Sequence, residues 1–163
     1  MPNWYAIYTR SRYEKKVFSE LTSKGVEAYL PLIKNLKQWS DRKKWVEEPL
    51  IRSYVFVYVD RPDYNFALQV TGAVKYVFFE GKPAIIPAWQ IMALKTALEI
   101  GKDFVISGEA LAAGDRVLIT RGPFSNIHGE LVEIQGSRKV VIRIDHIGYS
   151  LLLTIAPGHL RKV

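Results

Sequence analysis

The sequence predicts an α+β module over residues 1–100, a linker at 101–113 and a small β-barrel over 114–163. Three observations predict this. The run Tyr54-Val55-Phe56-Val57-Tyr58-Val59 is β-branched and aromatic throughout, which suits a central strand buried on at least one face. Two segments carry apolar residues at helical spacing: Tyr13, Val17 and Leu21 in one, Ile91, Leu94 and Leu98 in the other. Beyond Gly114, five short strand-like runs are separated by turn signals, and such a set avoids exposed edges by closing into a barrel.

Taken in order, Trp4 to Thr9 is aromatic and β-rich, an opening strand. Ser11 followed by Glu14 reads as a capping box, each side chain bonding the other's backbone N–H. The helix that follows buries Tyr13, Val17, Phe18 and Leu21, and Gly25 ends it from beyond the C-cap. Residues 26–36 resume as extended chain, with Pro31 implying an edge or a bend. Residues 38–44 are polar and basic between two strand-like runs and read as a hairpin tip, and Glu47, Glu48 and Pro49 punctuate the return. Residues 60–63 look like a helix start, with a short helix through Val70 that turns Phe66 and Val70 inward. Residues 74–79 read as a strand, turned by Glu80 and Gly81. Pro87 suits a first helical turn, and that helix ends near Gly101. Residues 101–113 lack clear periodicity and are rich in small residues, hence the linker. The barrel strands fall at 116–121, 130–135, 139–145, 149–155 and 160–163.

Composition narrows the function. The 163 residues include no Cys, which excludes a disulfide scaffold, a thiol nucleophile and a Cys-ligated zinc site, and fits a reducing cytosol. The first residues lack a basic segment followed by an apolar run, so no signal peptide is read, and no run reaches membrane-spanning length. Net charge is +7, a balance that attracts polyanions. Residues 1–100 hold 15 Lys and Arg against 10 Asp and Glu, and the remainder 8 against 6, so the excess lies mainly in the first module.

A catalytic constellation is not found. His128, His146 and His159 all sit near turns, without the helical i, i+4 partner of a metal site. No phosphate-binding glycine loop and no nucleophile elbow occurs. Glu47 and Glu48 are adjacent on an extended segment and face opposite sides, a poor acid–base pair. The chain is therefore read as a non-enzyme without catalytic residues, metal or cofactor.

Basic and aromatic clusters carry more. Arg10, Arg12, Lys15 and Lys16 lie at a strand end and a helix start, where backbone amides favour phosphates; a solvated helix face is the competing reading. Arg42 and Lys43 lie between Trp39 and Trp45, a tip able to run along nucleic acid with Trp39 stacking, or else a polar hairpin with one buried Trp. Tyr54, Phe56 and Tyr58 share one face of the central strand and Val55, Val57 and Val59 the other. The aromatic face is either a groove for a partner's helix or half of a two-sided core.

The whole chain resembles the NusG family of transcription elongation factors. In the first module the resemblance is carried by Trp4-Tyr5, the helix near Arg12, Ala28-Tyr29-Leu30-Pro31-Leu32, Glu48-Pro49-Leu50, Tyr54-Val55-Phe56-Val57, and Lys82-Pro83-Ala84 with Pro87. In the second it is a KOW motif: Gly114-Asp115, Val117, Gly122-Pro123-Phe124 and Gly129, closed by Leu160-Arg161-Lys162-Val163. The resemblance implies an N-terminal domain with an antiparallel sheet flanked by helices, followed by a KOW barrel in which Phe124 is the plug. It implies docking on the clamp helices of the largest bacterial RNA polymerase subunit, through the groove positions Tyr54 and Phe56, joined by Tyr8. It also implies contact with the non-template DNA strand at Arg10, Arg12, Lys15 or Lys16, and a KOW domain that tethers a small-subunit ribosomal protein or the Rho terminator. The expected protein is a cytoplasmic monomer with no membrane partner.

The departures from the family pattern select a subtype. Housekeeping members carry Phe-Pro-Gly before the central Tyr; here the run is Ile51-Arg52-Ser53. The Gly two residues after the KOW Phe is Asn126, the residue that best tolerates positive φ after Gly. The Rho-linked loop is His146-Ile147-Gly148-Tyr149, which argues against Rho contact. These features favour a specialised paralogue, similar to RfaH or to the antiterminators of capsular-polysaccharide operons. The alternatives are a housekeeping factor linking polymerase to Rho or the ribosome, and a KOW protein that binds ribosomes or RNA on its own.

Overall fold

A computed structural model of the chain describes residues 1–62 and 67–163. The fold is α+β, in two compact units, Met1–Ile86 and Pro87–Val163. The helix after Pro87 is thus counted with the second unit, whereas the sequence puts a boundary at residue 100.

The first unit is built on an antiparallel sheet in the order β2-β5-β1-β6, from β1 (Asn3–Thr9), β2 (Glu27–Tyr29), β5 (Tyr54–Val59) and β6 (Ala73–Tyr76). Helix α1 (Glu14–Ser23) covers one face. Val17 and Leu21 join Tyr5, Ile7, Val55, Val57 and Tyr76 in one buried cluster, so the valine face of β5 is the core face. Two hairpins extend from this sheet. One pairs β3 (Leu32–Gln38) with β4 (Lys43–Pro49); the other pairs β7 (Phe78–Phe79) with β8 (Lys82–Pro83). The extended run after Gly25 breaks at Leu30-Pro31 into β2 and β3, and the strand expected at 74–79 divides into β6 and β7. Part of the helix expected at 60–70, Phe66 included, lies outside the described residues; Val70 is buried.

Helix α1 departs from expectation at its start and meets it at its end. Tyr13, not Ser11, is the N-cap, and no side chain caps the helix. Arg12 takes a left-handed turn (φ 69°), which removes Ser11 from the helix axis. The capping box fails because Glu14 is drawn inward, where its Oε2 accepts from the Ser53 N–H at 2.9 Å. At the C-terminus, Gly25 (φ 82°) donates to the Thr22 carbonyl and Val26 to that of Leu21, the paired bonds of a Schellman ending.

The second unit opens with α2 (Ala88–Ile100), entered from Pro87 and closed by Gly101 at φ 76°. Its buried stripe is Gln90, Ile91, Ala93, Leu94 and Ala97, with Leu98 only half-buried. A six-stranded antiparallel sheet follows: β9 (Phe104–Ser107), β10 (Asp115–Ile119), β11 (His128–Ile134), β12 (Ser137–Ile144), β13 (Tyr149–Leu153) and β14 (Leu160–Lys162). Their order is β14-β10-β11-β12-β13-β9. The five expected strands are present. The sixth, β9, lies inside the expected linker: residues 104–107 pair with β13 rather than hang as a tether.

Candidate functional site

On the aromatic face of the first unit, the β1–β5 register sets Trp4 opposite Tyr58, Ala6 opposite Phe56 and Tyr8 opposite Tyr54. Side chains on one face recur every second residue, so these rings form a ladder. Ring centroids lie 5.1 Å apart for Trp4–Tyr58, 5.7 Å for Tyr8–Tyr54 and 6.4 Å for Tyr29–Phe56. Exposure along the ladder is uneven. Phe56 is 0% exposed, while Tyr8 is 39% exposed at the Thr9 end of β1. The expected groove position at Phe56 is therefore corrected. It lies mid-sheet between β1 and β2, against Tyr29, and offers no surface to a partner.

The open end of the ladder is a cleft. Tyr8, Tyr54, Lys75, Val77 and Phe78 line a cavity of about 490 Å³. Lys75 arrives because β6 pairs with β1 and sets it opposite Tyr8. Phe78, Phe79 and Ile85 are exposed nearby in sequence. The sequence reading missed Lys75, Val77 and Phe78. The available signal was the Phe78-Phe79 doublet, since two adjacent aromatics on one strand cannot both face a one-sided core.

The basic candidates divide. Arg12 and Lys15 come together with Ser11, Glu14, Glu47, Glu48, Pro49 and Arg52 around a cleft of about 470 Å³. Arg52 was not anticipated. The cleft is mixed in charge, and Glu48 is committed elsewhere: it pairs with Lys37 at 2.9 Å and accepts from Asn35 at 2.8 Å. Those bonds hold its carboxyl below the usual range. Arg10 and Lys16 are exposed outside that lining, with Lys16 over the Tyr13 ring at 5.2 Å. Arg42 and Lys43 lie at the β3–β4 tip, where Arg42 stands 5.3 Å from the Trp39 ring. Trp39 and Trp45 are both exposed, so the reading with one buried Trp does not hold.

The KOW residues turn out to be architectural. Phe124 is buried, as a plug should be, and Gly122 (φ 87°) and Asn126 (φ 71°) take left-handed turns beside it. A Cβ on Gly129 would stand 2.5 Å from Val140 Cγ1, and one on Gly114 would run into the Leu131 carbonyl. Asp115 pairs with Lys162 at the surface, and Pro123 is exposed in the turn. Glu130 forms the second unit's polar centre. It pairs with Arg143 Nε at 2.7 Å and accepts from the Gly114 N–H. Arg143 holds Glu130 below the usual carboxylate range, and Glu130 raises Arg143 in return. His128, His146 and His159 do not converge, and no metal-ligating group of three or more is found among the described residues.

Known proteins resemble the chain over most of its length. The family model described as "Transcription termination factor nusG" matches residues 2–95. The chain is 24% identical to the transcription termination/antitermination protein NusG of Borreliella burgdorferi over 187 residues, 98% of each chain. It is 24% identical to the protein of the same name from Halalkalibacterium halodurans over 167 residues, 90% of each. Among solved structures, "Domain interaction in Thermotoga maritima NusG" superposes with a TM-score of 0.55 at 24% identity, covering 100% of this chain and 98% of that one. That likeness bears on the fold.

Proposed function

This chain belongs to the NusG family of transcription termination/antitermination factors, and on that premise we propose that it binds RNA polymerase through its first unit and reduces pausing or termination. The clamp helices of the largest polymerase subunit occupy the cleft at Tyr8 and Tyr54, with Phe78 as a further anchor. The observation that carries this reading is the cleft itself, an aromatic cavity of about 490 Å³ open at the end of an otherwise packed ladder. Exposed rings that already stand in pairs lose little freedom on binding, so they make efficient anchors for an amphipathic helix. The protein acts in the cytoplasm, by binding rather than by bond-making.

Two further contacts belong to the proposal. Arg12, Lys15 and Arg52 meet the non-template DNA strand at the mixed-charge cleft beside α1. The second unit recruits a second partner, for which a small-subunit ribosomal protein is the family precedent. Rho is disfavoured because Ile147, the apolar residue of the β12–β13 loop, is buried and presents nothing to a partner. Ser53 and Asn126, at positions where housekeeping members carry Gly, support a specialised paralogue serving long operons.

Retention of polymerase by the full chain tests the main contact. Tyr8→Ala and Tyr54→Ala are each expected to weaken binding by about 30-fold, the loss of one anchor worth ~2 kcal/mol. Normal binding by both folded variants would sink the groove. In the same assay on a scaffold with exposed single strand, Lys15→Glu should flatten the slope of log affinity against log salt by about 0.7 per lost phosphate contact. An unchanged slope removes the DNA contact and leaves the groove standing. Recovery of ribosomes with no polymerase would favour the KOW-protein alternative.

A further inference from the structure

Strand β9 comes from ahead of the KOW motif and lies along β13. Phe104 pairs with Leu153, Val105 with Leu152, Ile106 with Leu151 and Ser107 with Ser150. One bond fixes the phase of the ladder: the Thr154 N–H donates to the Asp103 carbonyl at 2.9 Å. Hydrogen-bonded pairs alternate along antiparallel strands. The amides of Ser150, Leu152 and Thr154 therefore face β9, and those of Leu151 and Leu153 face β12.

The two strands differ in depth. Leu151, Leu152 and Leu153 are buried, whereas β9 has only half-buried residues at 104, 106 and 107 and leaves Val105 55% exposed. The segment before β9 turns through two left-handed residues, Gly101 and Asp103. Behind it, Arg143 Nη2 donates to the carbonyls of Leu111 and Ala112, while Glu130 accepts from Gly114. A four-residue strand that follows a left-handed turn thus covers the edge of a strand that is otherwise core, with the Glu130–Arg143 pair as a clasp.

We propose that the β13 edge is a strand-addition surface for a partner protein, and that β9 is its removable internal cover. The partner supplies an extended segment with bulky apolar residues two apart, in the places of Phe104 and Ile106. Main-chain bonds to Ser150, Leu152 and Thr154 give affinity, and the two apolar side chains give register. Tethering keeps β9 at an effective concentration on the order of millimolar, so a free segment competes poorly until the cover is released. This assigns a place to the second partner of the preceding reading, yet it rests on strand pairing alone and does not depend on polymerase binding.

The test uses the full chain carrying Val105→Pro, which removes a β9 amide at an exposed side chain, and a synthetic peptide spanning residues 102–109. Amide exchange should accelerate at Ser150, Leu152 and Thr154 while Leu151 and Leu153 stay protected. The peptide should then bind the variant at least tenfold more tightly than the unaltered protein, and restore protection at the same three amides. Loss of protection at Leu151 and Leu153 as well would make β9 an integral strand and overturn the proposal. So would unchanged exchange, an open edge that ignores the peptide, or equal binding to the unaltered protein, which would put the peptide on β9's outer edge.

Discussion

Phe56→Ala should act on folding, and Tyr54→Ala on recognition, although both residues stand on one face of β5. Phe56 is fully buried against Tyr29 and opposite Ala6. Removing a buried phenyl ring costs about 3–5 kcal/mol, combining lost transfer energy with the cavity left behind. Against a total stability of roughly 5–15 kcal/mol, that is a large fraction. Tyr54 is half-buried at the first position of β5, and its contacts include the edge-on packing with Tyr8, worth about 1 kcal/mol. In urea, with a slope of about 2 kcal/mol/M, the midpoint should fall by roughly 2 M for Phe56→Ala and roughly 0.5 M for Tyr54→Ala. Polymerase binding then separates the two mechanisms. The Tyr54 variant should be folded and weak, and the Phe56 variant weak only in proportion to its unfolded fraction. Equal midpoint shifts, or a Phe56 cost below about 1 kcal/mol, would refute the burial argument.

Two other outcomes follow from local geometry. Ser53 sits at φ 68° with both backbone groups bonded, its N–H to Glu14 and its carbonyl to Thr9. Ser53→Gly keeps those bonds and relieves the strain, so thermal unfolding should show a gain of about 0.5–1 kcal/mol; a loss would mean that the hydroxyl matters. Glu130 is depressed chiefly by its bond from Arg143, then by Gly114 and Arg116 against a desolvation cost. A depressed carboxyl stabilises above its unfolded value of 4.5, and that share is lost as pH falls through the folded value. Protection of the Gly114 amide, taken relative to its intrinsic exchange rate at each pH, should therefore fall as pH drops through the folded value, and Glu130→Gln should remove the acid step; a step of equal size in the variant would assign it to another group.

Periodicity made the main elements legible. Val17 and Leu21, and Ile91 and Leu94, name buried faces found in the structure, while the alternation along Tyr54–Val59 separates two faces without choosing between them. What period 2 cannot give is how far the cover over a face extends. Tyr54, Phe56 and Tyr58 are equivalent in pattern, but neighbouring strands flank Phe56 on both sides while Tyr54 lies at the strand's first position. The capping box failed for a related reason. Ser11 and Glu14 have the right spacing, but Glu14 has a distant competitor in the strained Ser53 amide, which no local window contains. Ser53 departs from the family's Gly, and its positive φ shows the physical demand at that position.

The KOW positions make the limit of motif reading concrete. Gly129 lies too close to Val140 for a side chain, Gly114 too close to the Leu131 carbonyl, Phe124 fills the interior and Asn126 takes the left-handed turn. Each is dictated by packing inside the unit. Residues fixed in this way mark the module wherever it occurs and are silent about what it binds. Recognition has to come from edges and loops, where the pattern is weakest. Phe104-Val105-Ile106-Ser107 is too short to signal a strand alone, and its place follows only from register with β13. The segment least informative in sequence is thus the one whose place only the register reveals.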